Sequence, residues 1–248
     1  MSEPVQTLEG WYAHHDFRTI DWASWKLMSE AERKEAIDEL LGLMEEWQKT
    51  EAAHQGSSGM FSILGHKADL LFLHFRPTLD ELLELETALN KTILANVMLP
   101  SYSYVSVVEL SNYVASDRND PETEAYIQRR LKPIIPDKSH ICFYPMNKRR
   151  EAGQNWYTLP MDQRREMMIS HGMIGRKYAG KVIQVICGSV GLDDWEWGVT
   201  LYADDPVTFK KLIYEMRFDE VSAKYSEFGT FLVGRKLDQT ALTSYLNL

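Results

Sequence analysis

Residues 144–150 bring together side chains that suit an anionic ligand: a phenol, a thioether, an amide and three cations. The stretch follows the apolar run His140-Ile141-Cys142-Phe143, which predicts a β-strand. Downstream, a helical pattern ends near His171 and adds one imidazole. A phenol rimmed by cations and a lone histidine could together bind a planar, anionic, metal-bearing molecule. A charged strand end beside a structural histidine is the alternative that these residues leave open.

The positive charge of this acidic chain is concentrated in one window. Residues 129–150 hold seven of the 27 Lys and Arg but one of the 36 Asp and Glu, so the window carries +6 and the remainder −15 of the net −9. The overall negative charge argues against nucleic acid as a partner. The basic window favours a small polyanion over a long polymer, although a solvated surface loop is the other interpretation of such a run.

The composition favours a globular protein with an apolar pocket. Eleven Met and seven Trp suit the walls of such a pocket. Cys142 and Cys187 lack the CxxC spacing of a redox or zinc site, so we expect reduced thiols in the core. The first residues lack the pattern of a secretion signal, and no apolar run approaches the roughly 20 residues of a membrane span. We therefore expect a cytoplasmic protein.

Hydrophobic periodicity predicts the order β-α-β-β-α-β in each half of the chain. Predicted strands 5–17, 60–64, 70–75 and 102–114 precede a helix-prone connector at 116–131, and strands 139–146, 181–189, 195–202 and 228–236 follow it. In the first half, Ser29 with Glu32 and Thr78 with Glu81 form capping boxes that start two helices. In the second half, helices are predicted over 160–171 and after Pro206.

The predicted fold class is therefore α+β, with two ferredoxin-like halves packed as a dimeric α+β barrel-type unit. We expect an N-terminal half at 1–115, a helical connector with basic residues at 116–137, and a C-terminal half at 138–248 that carries the ligand site. The space between the sheet and its helices would be the ligand cavity.

Four motifs make the sequence resemble the chlorite dismutase-like family, and within it the Firmicute-type coproheme decarboxylases. They are Tyr144-Pro-Met-Asn-Lys148, His171-Gly-Met-Ile-Gly-Arg176, Lys181-Val-Ile-Gln184 and Asp194-Trp-Glu-Trp197-Gly, in that order. The resemblance implies oxidative decarboxylation of two propionates of Fe-coproporphyrin III (coproheme) to vinyl groups, giving haem b, with hydrogen peroxide as oxidant. The substrate then brings its own iron. The resemblance also implies a homopentamer and transient contact with a coproporphyrin ferrochelatase.

The same resemblance implies roles for individual residues. Tyr144 would form the radical that takes hydrogen from the propionate, and Lys148 would pair with that propionate and manage its proton. His171 would be the axial ligand of the iron, with a hydrogen-bond acceptor that the sequence does not identify. The remaining ligand contacts would come from Arg130, Pro145, Met146, Asn147, Gln184 and Ser222.

Two other functions stay open at this point. A chlorite dismutase or a general haem peroxidase could use the same fold, but Gln184 stands where the chlorite-degrading members carry a distal arginine. A non-catalytic haem-binding protein could keep the same pocket, but it would not need both Tyr144 and Lys148.

Overall fold

The computed structural model describes residues 3–111, 113 and 120–248. Its strands are β1 (Thr7–Ile20), β2 (Ser57–Ile63), β3 (Leu70–Arg76), β4 (Met98–Ser111), β5 (His140–Lys148), β6 (Arg150–Glu151), β7 (Gln154–Asn155), β8 (Ile183–Gly188), β9 (Trp197–Ala203), β10 (Ser226–Phe228) and β11 (Leu232–Lys236). Its α-helices are α1 (Trp22–Leu27), α2 (Glu30–Ala52), α3 (Leu79–Asn90), α4 (Pro121–Leu131), α5 (Met161–Arg176), α6 (Val207–Met216), α7 (Glu220–Tyr225) and α8 (Gln239–Leu246). Short 3₁₀ helices occupy Ile93–Val97 and Trp156–Thr158.

The chain folds as two compact units, each built from separate segments. The N-terminal unit combines Trp11–Val105 with Lys132–Ile135 and Leu232–Leu248. The C-terminal unit combines the chain up to Gly10 with Ser106–Leu131 and Pro136–Phe231. The domain limits expected from the sequence, at residues 115 and 138, stay a prediction.

The N-terminal unit is an antiparallel sheet in the strand order β11-β2-β3-β1-β4, with α2 supplying much of its core. Both predicted capping boxes are present: the hydroxyl of Ser29 accepts from the N–H of Glu32, and that of Thr78 accepts from the N–H of Glu81. The C-terminal α8, which the sequence analysis missed, closes the core through a hydrogen bond from the Trp25 indole to the carbonyl of Leu246.

In the C-terminal unit, antiparallel strands pair in the order β4-β8-β9-β5-β10. In its register, Tyr144 of β5 lies opposite Val199 of β9, which in turn lies opposite Ile186 of β8. Because side chains alternate along a strand, Tyr144, Met146 and Lys148 share one face of this sheet. The predicted α+β class is confirmed.

The strand predicted over 228–236 is wrong, since the structure has two strands, β10 and β11, separated at residues 229–231. Gly229 lies in this break and packs closely against β5. Its N–H donates to the Pro145 carbonyl at 2.8 Å, and a Cβ atom at this position would lie 2.7 Å from the Pro145 ring. The sequence analysis also missed α7, which follows directly after Asp219. Residues 112, 114 and 116–119 of the predicted fourth strand and connector lie outside the described residues.

Candidate functional site

A cavity of about 560 Å³ lies within the C-terminal unit. Its floor is the sheet face of β4, β8, β9 and β5, and further lining residues come from α4, α5, α6 and α7. Most of its wall is apolar, with Ile186, Trp197, Val199, Leu201, Leu212, Ile213, Met146, Met168, Met216 and Phe228 among the lining residues. This volume falls in the range of about 300–1,000 Å³ that small-molecule sites occupy.

Tyr144 lies in the cavity wall, in the middle of β5, and only 8% of it is exposed. Its ring stacks on Phe231, with centroids 4.5 Å apart, and it contacts Phe228 at 5.9 Å. Burial raises the pKa of the Tyr144 phenol well above its usual value, and the nearby cation Arg217 only partly offsets this. The phenol is therefore protonated at neutral pH and can give up an electron and a proton together.

Arg217 is a cation near Tyr144 that the sequence analysis did not identify. Its guanidinium carbon lies 3.6 Å from the centroid of the Phe228 ring, the ring that also contacts Tyr144. A cation at this distance is attracted to the face of the ring. Arg217 therefore places a positive charge near Tyr144 that lies outside the predicted basic window, although Arg217 is not among the residues that line the cavity.

Lys148 is buried at the end of β5, where its Nζ atom lies 4.6 Å from the centroid of the Trp156 ring and 3.4 Å from the Ser226 hydroxyl. Burial lowers the pKa of the Lys148 ammonium to about 8, although Asp219 and Glu196 act in the opposite direction. An ammonium with this pKa can release or take up a proton close to neutral pH.

Two of the predicted ligand contacts are not among the residues that line the cavity. The Asn147 side chain instead accepts a hydrogen bond from the backbone N–H of Glu196 at 2.8 Å. The Glu196 carboxylate in turn accepts from the backbone N–H of Lys148 at 2.7 Å. Pro145 packs against Gly229. Both residues alternate with Tyr144, Met146 and Lys148, so they support the strand from its other face.

The remaining predicted contacts meet at the cavity. The structure places Arg130 at the end of α4, Gln184 on β8 and Ser222 on α7, and all three line the same cavity as Tyr144, Met146, Lys148 and His171. Arg130 and Gln184 are exposed at its surface, whereas Ser222 is buried. Chain segments that are distant in sequence thus contribute to one site.

His171 of α5 has a defined hydrogen-bond partner, Asp219, with 2.8 Å between Nδ1 and Oδ2. Asp219 is also the N-cap of α7, where it accepts from the N–H of Ser222. Burial acts to raise the pKa of Asp219, but these hydrogen bonds outweigh it and the pKa lies below its usual value. Because an ionised carboxylate only accepts, the Nδ1 atom of His171 carries a proton, and in the neutral imidazole the lone pair is then on Nε2.

This arrangement suits a metal ion that is already coordinated by the bound molecule. A histidine whose second nitrogen donates to a carboxylate is typical of metal ligation. Among the described residues, no group of three or more His, Cys, Asp or Glu is placed to hold a metal ion. One histidine facing an apolar cavity therefore fits an iron whose other ligands come from a macrocycle.

The chlorite dismutase family model matches residues 33–237, which is most of the chain. The chain belongs to the chlorite dismutase family. Among solved structures, a haem-binding protein from Thermus thermophilus is 52% identical, with a TM-score of 0.96 over 100% of this chain and 99% of that chain. A variant of the chlorite dismutase from Candidatus Nitrospira defluvii is 19% identical, with a TM-score of 0.77 over 96% of this chain and 95% of its own.

A putative chlorite dismutase shares the fold at 17% identity, with a TM-score of 0.76 over 96% of this chain and 100% of its own. Together these matches confirm the chlorite dismutase-like α+β fold that the motifs implied. Within the described residues, this member of the family has no helix that is both long enough and apolar enough to cross a bilayer.

Proposed function

We propose that this protein oxidatively decarboxylates two propionates of Fe-coproporphyrin III to vinyl groups and so produces haem b, with hydrogen peroxide as the oxidant. The observation that carries the proposal is that Tyr144 and Lys148 line one cavity with His171. A redox-capable phenol, a proton-exchanging ammonium and a metal-ligating imidazole are the three groups that this reaction requires. Haem binding by the Thermus relative, which is 52% identical, supports a porphyrin as the ligand.

His171 would bind the iron of the substrate through Nε2. Its hydrogen bond to Asp219 keeps the proton on Nδ1 and holds the ring in position. When bound, the iron porphyrin would supply the reactivity towards hydrogen peroxide and hence the oxidising power for the reaction. The protein's own contribution is to orient the macrocycle, exclude water and exchange protons at defined atoms.

The carboxylates of coproheme would be held by cations at the cavity wall. Arg130, Lys148 and Arg176 line the cavity, and Ser222 adds a hydroxyl group. Charge-assisted hydrogen bonds of this kind are about twice as strong as neutral ones. The apolar wall suits the flat face of the macrocycle, because a porphyrin buries most of its surface on binding.

Tyr144 would remove one hydrogen atom from the propionate carbon next to the ring. The phenol first loses an electron and a proton, and the resulting tyrosyl radical then takes the hydrogen atom. Loss of a second electron and of carbon dioxide leaves a vinyl group. Each cycle consumes one propionate, one hydrogen peroxide and one proton, and it yields one vinyl group, one carbon dioxide and two waters. Lys148 would supply the proton, since its pKa of about 8 suits proton transfer.

The test is a mass spectrum of the porphyrin after coproheme and peroxide are added to the protein. Loss of two carboxyl groups as carbon dioxide is the expected result. A bleached or unchanged tetracarboxylate porphyrin would favour a haem peroxidase or a haem-binding protein without catalysis. Rapid oxygen evolution from chlorite would instead indicate a chlorite dismutase.

We further propose that the protein acts in the cytoplasm as a homopentamer and receives coproheme from a coproporphyrin ferrochelatase by transient contact. The resemblance of the four motifs to the coproheme decarboxylases supports the homopentamer and the ferrochelatase contact. The molar mass in solution, measured by light scattering against the 28.7 kDa of one chain, tests the homopentamer.

A further inference from the structure

One acidic side chain lies in a cavity that should accept a polyanion. The other fully charged side chains among the described lining residues are cations, namely Arg130, Lys148 and Arg176. Glu109 of β4 also lines this cavity. A carboxylate at this position works against any ligand carboxylate that comes close to it, because like charges disfavour the ionised form of both.

The backbone of β8 is adapted to the Glu109 side chain. A Cβ atom on Gly188 would lie 2.4 Å from Oε2 of Glu109, so any larger residue at this position would displace the carboxyl group. Trp197, which lies opposite Gly188 in the β8–β9 register, directs its indole N–H at Oε1 of Glu109 at 3.5 Å. Gly188 thus leaves room for the Glu109 carboxyl group, and Trp197 offers it a hydrogen-bond donor.

The surroundings of Glu109 disfavour additional negative charge. Burial raises the pKa of its carboxyl group, the indole of Trp197 lowers it, and the nearby carboxylate of Glu9 raises it again. A ligand carboxylate beside Glu109 would therefore have to face a second negative charge or bring a proton with it. Both outcomes cost binding free energy.

We propose that Glu109 is a specificity-determining residue that limits how many carboxylates a bound porphyrin can carry. In this account, the cations hold the propionates, while Glu109 rejects porphyrins that carry acetate groups in place of the ring methyl groups. The inference rests on the proposed function, since it takes the ligand to be a porphyrin with four carboxylates. It adds the prediction that an eight-carboxylate porphyrin is excluded by charge at this wall.

The experiment compares the binding of two metal-free porphyrins, coproporphyrin III with four carboxylates and uroporphyrin III with eight, by porphyrin fluorescence. Metal-free probes make the readout independent of catalysis. We expect the wild-type protein to bind coproporphyrin at least ten times more tightly than uroporphyrin. Glu109→Gln keeps the shape and the acceptor for Trp197, and we expect it to reduce this ratio at least fivefold, mainly by tightening uroporphyrin binding.

Glu227→Gln is the matched control, since it removes an exposed charge on β10 that does not line the cavity, and it should change the ratio less than twofold. Gly188→Ala moves the carboxyl group without removing it, and it should also reduce the ratio. An unchanged ratio in Glu109→Gln would overturn the inference. Failure of both the wild type and Glu109→Gln to bind uroporphyrin would also overturn it, because size alone would then account for the exclusion. If the wild-type protein binds neither porphyrin, the proposed function fails together with the inference.

Discussion

Nδ1 of His171 lies 2.8 Å from Oδ2 of Asp219, across 48 residues of sequence. The same carboxylate caps α7 and contributes to the negative potential at Lys148. Asp219 therefore acts on both the candidate iron ligand and the candidate proton donor.

Removing either member of this pair should weaken the iron site. His171→Ala should lower the affinity for coproheme and abolish the five-coordinate ferric spectrum of an imidazole ligand. Asp219→Asn should lower coproheme affinity about 10–100-fold, the usual effect of removing a partner of a metal-bound histidine. Absorption and resonance Raman spectra of the bound ferric porphyrin measure both effects. An unchanged spectrum in His171→Ala would show that the axial assignment is wrong.

Ligand affinity should depend on the charge of Lys148. Because burial lowers the pKa of Lys148 to about 8, its cation is fully present well below this pKa and is lost as the pH rises above it. The affinity for metal-free coproporphyrin should therefore be nearly constant from about pH 6 to 7.5 and fall above about pH 8, by up to about tenfold per pH unit. Fluorescence titrations across this range measure it.

Two variants make this pH test specific. Lys148→Met keeps the packing against Trp156 but removes the cation, so it should bind more weakly and lose the fall in affinity at alkaline pH. Lys138→Met changes a lysine that pairs with the exposed Asp204, outside the cavity lining, and should retain the wild-type profile. A fall of equal size in Lys148→Met would assign the titration to another group.

Much of the local structure could be predicted because it depends on near neighbours. The capping boxes at Ser29 and Thr78 involve residues three positions apart, and both are present. Strand alternation after residue 140 is sufficient to place Tyr144 and Lys148 on one face. The same alternation places Asn147 on the opposite face of the strand. The sequence analysis overlooked this because it treated all of residues 144–148 as ligand contacts.

The missed features depend on packing between segments that are distant in sequence. Asp219 reaches His171 only because α7 packs against α5, and the one local signal was an acid that could cap a helix. Arg217 approaches Tyr144 through Phe228, which follows on a different strand. The pKa of Lys148 depends on burial by neighbours that the sequence does not reveal.

The stability of the fold should decrease in mild acid because of buried histidines in the N-terminal unit. Burial lowers the pKa of His15 to about 3, and His14 adds to this, whereas an unfolded chain takes up the proton near pH 6.5. Between these values the unfolded state binds more protons, so the free energy of unfolding falls as the pH drops. One such group contributes about 1.4 kcal/mol per pH unit.

Urea unfolding at about pH 7, 6 and 5 measures this dependence, because these values span the pKa of the unfolded histidine. His15→Gln should make the pH dependence of the free energy of unfolding shallower, even if the variant is less stable at every pH. Part of the dependence should remain, because burial also lowers the pKa of His74. His66→Gln alters an exposed histidine and should leave the slope unchanged. Equal slopes in wild type and His15→Gln would contradict the assignment.

The most direct test of the proposed reaction is the Tyr144→Phe variant, followed by mass spectrometry of the porphyrin. The change removes one oxygen and keeps the ring that stacks on Phe231, so coproheme binding should change by no more than about 0.5–1.5 kcal/mol. Tyr214→Phe alters an exposed phenol on α6 and serves as the control. With peroxide, the wild type and the control should yield haem b, whereas Tyr144→Phe should leave a porphyrin with all four carboxylates. Formation of haem b by Tyr144→Phe at a rate near that of the wild type would contradict the central role of this phenol.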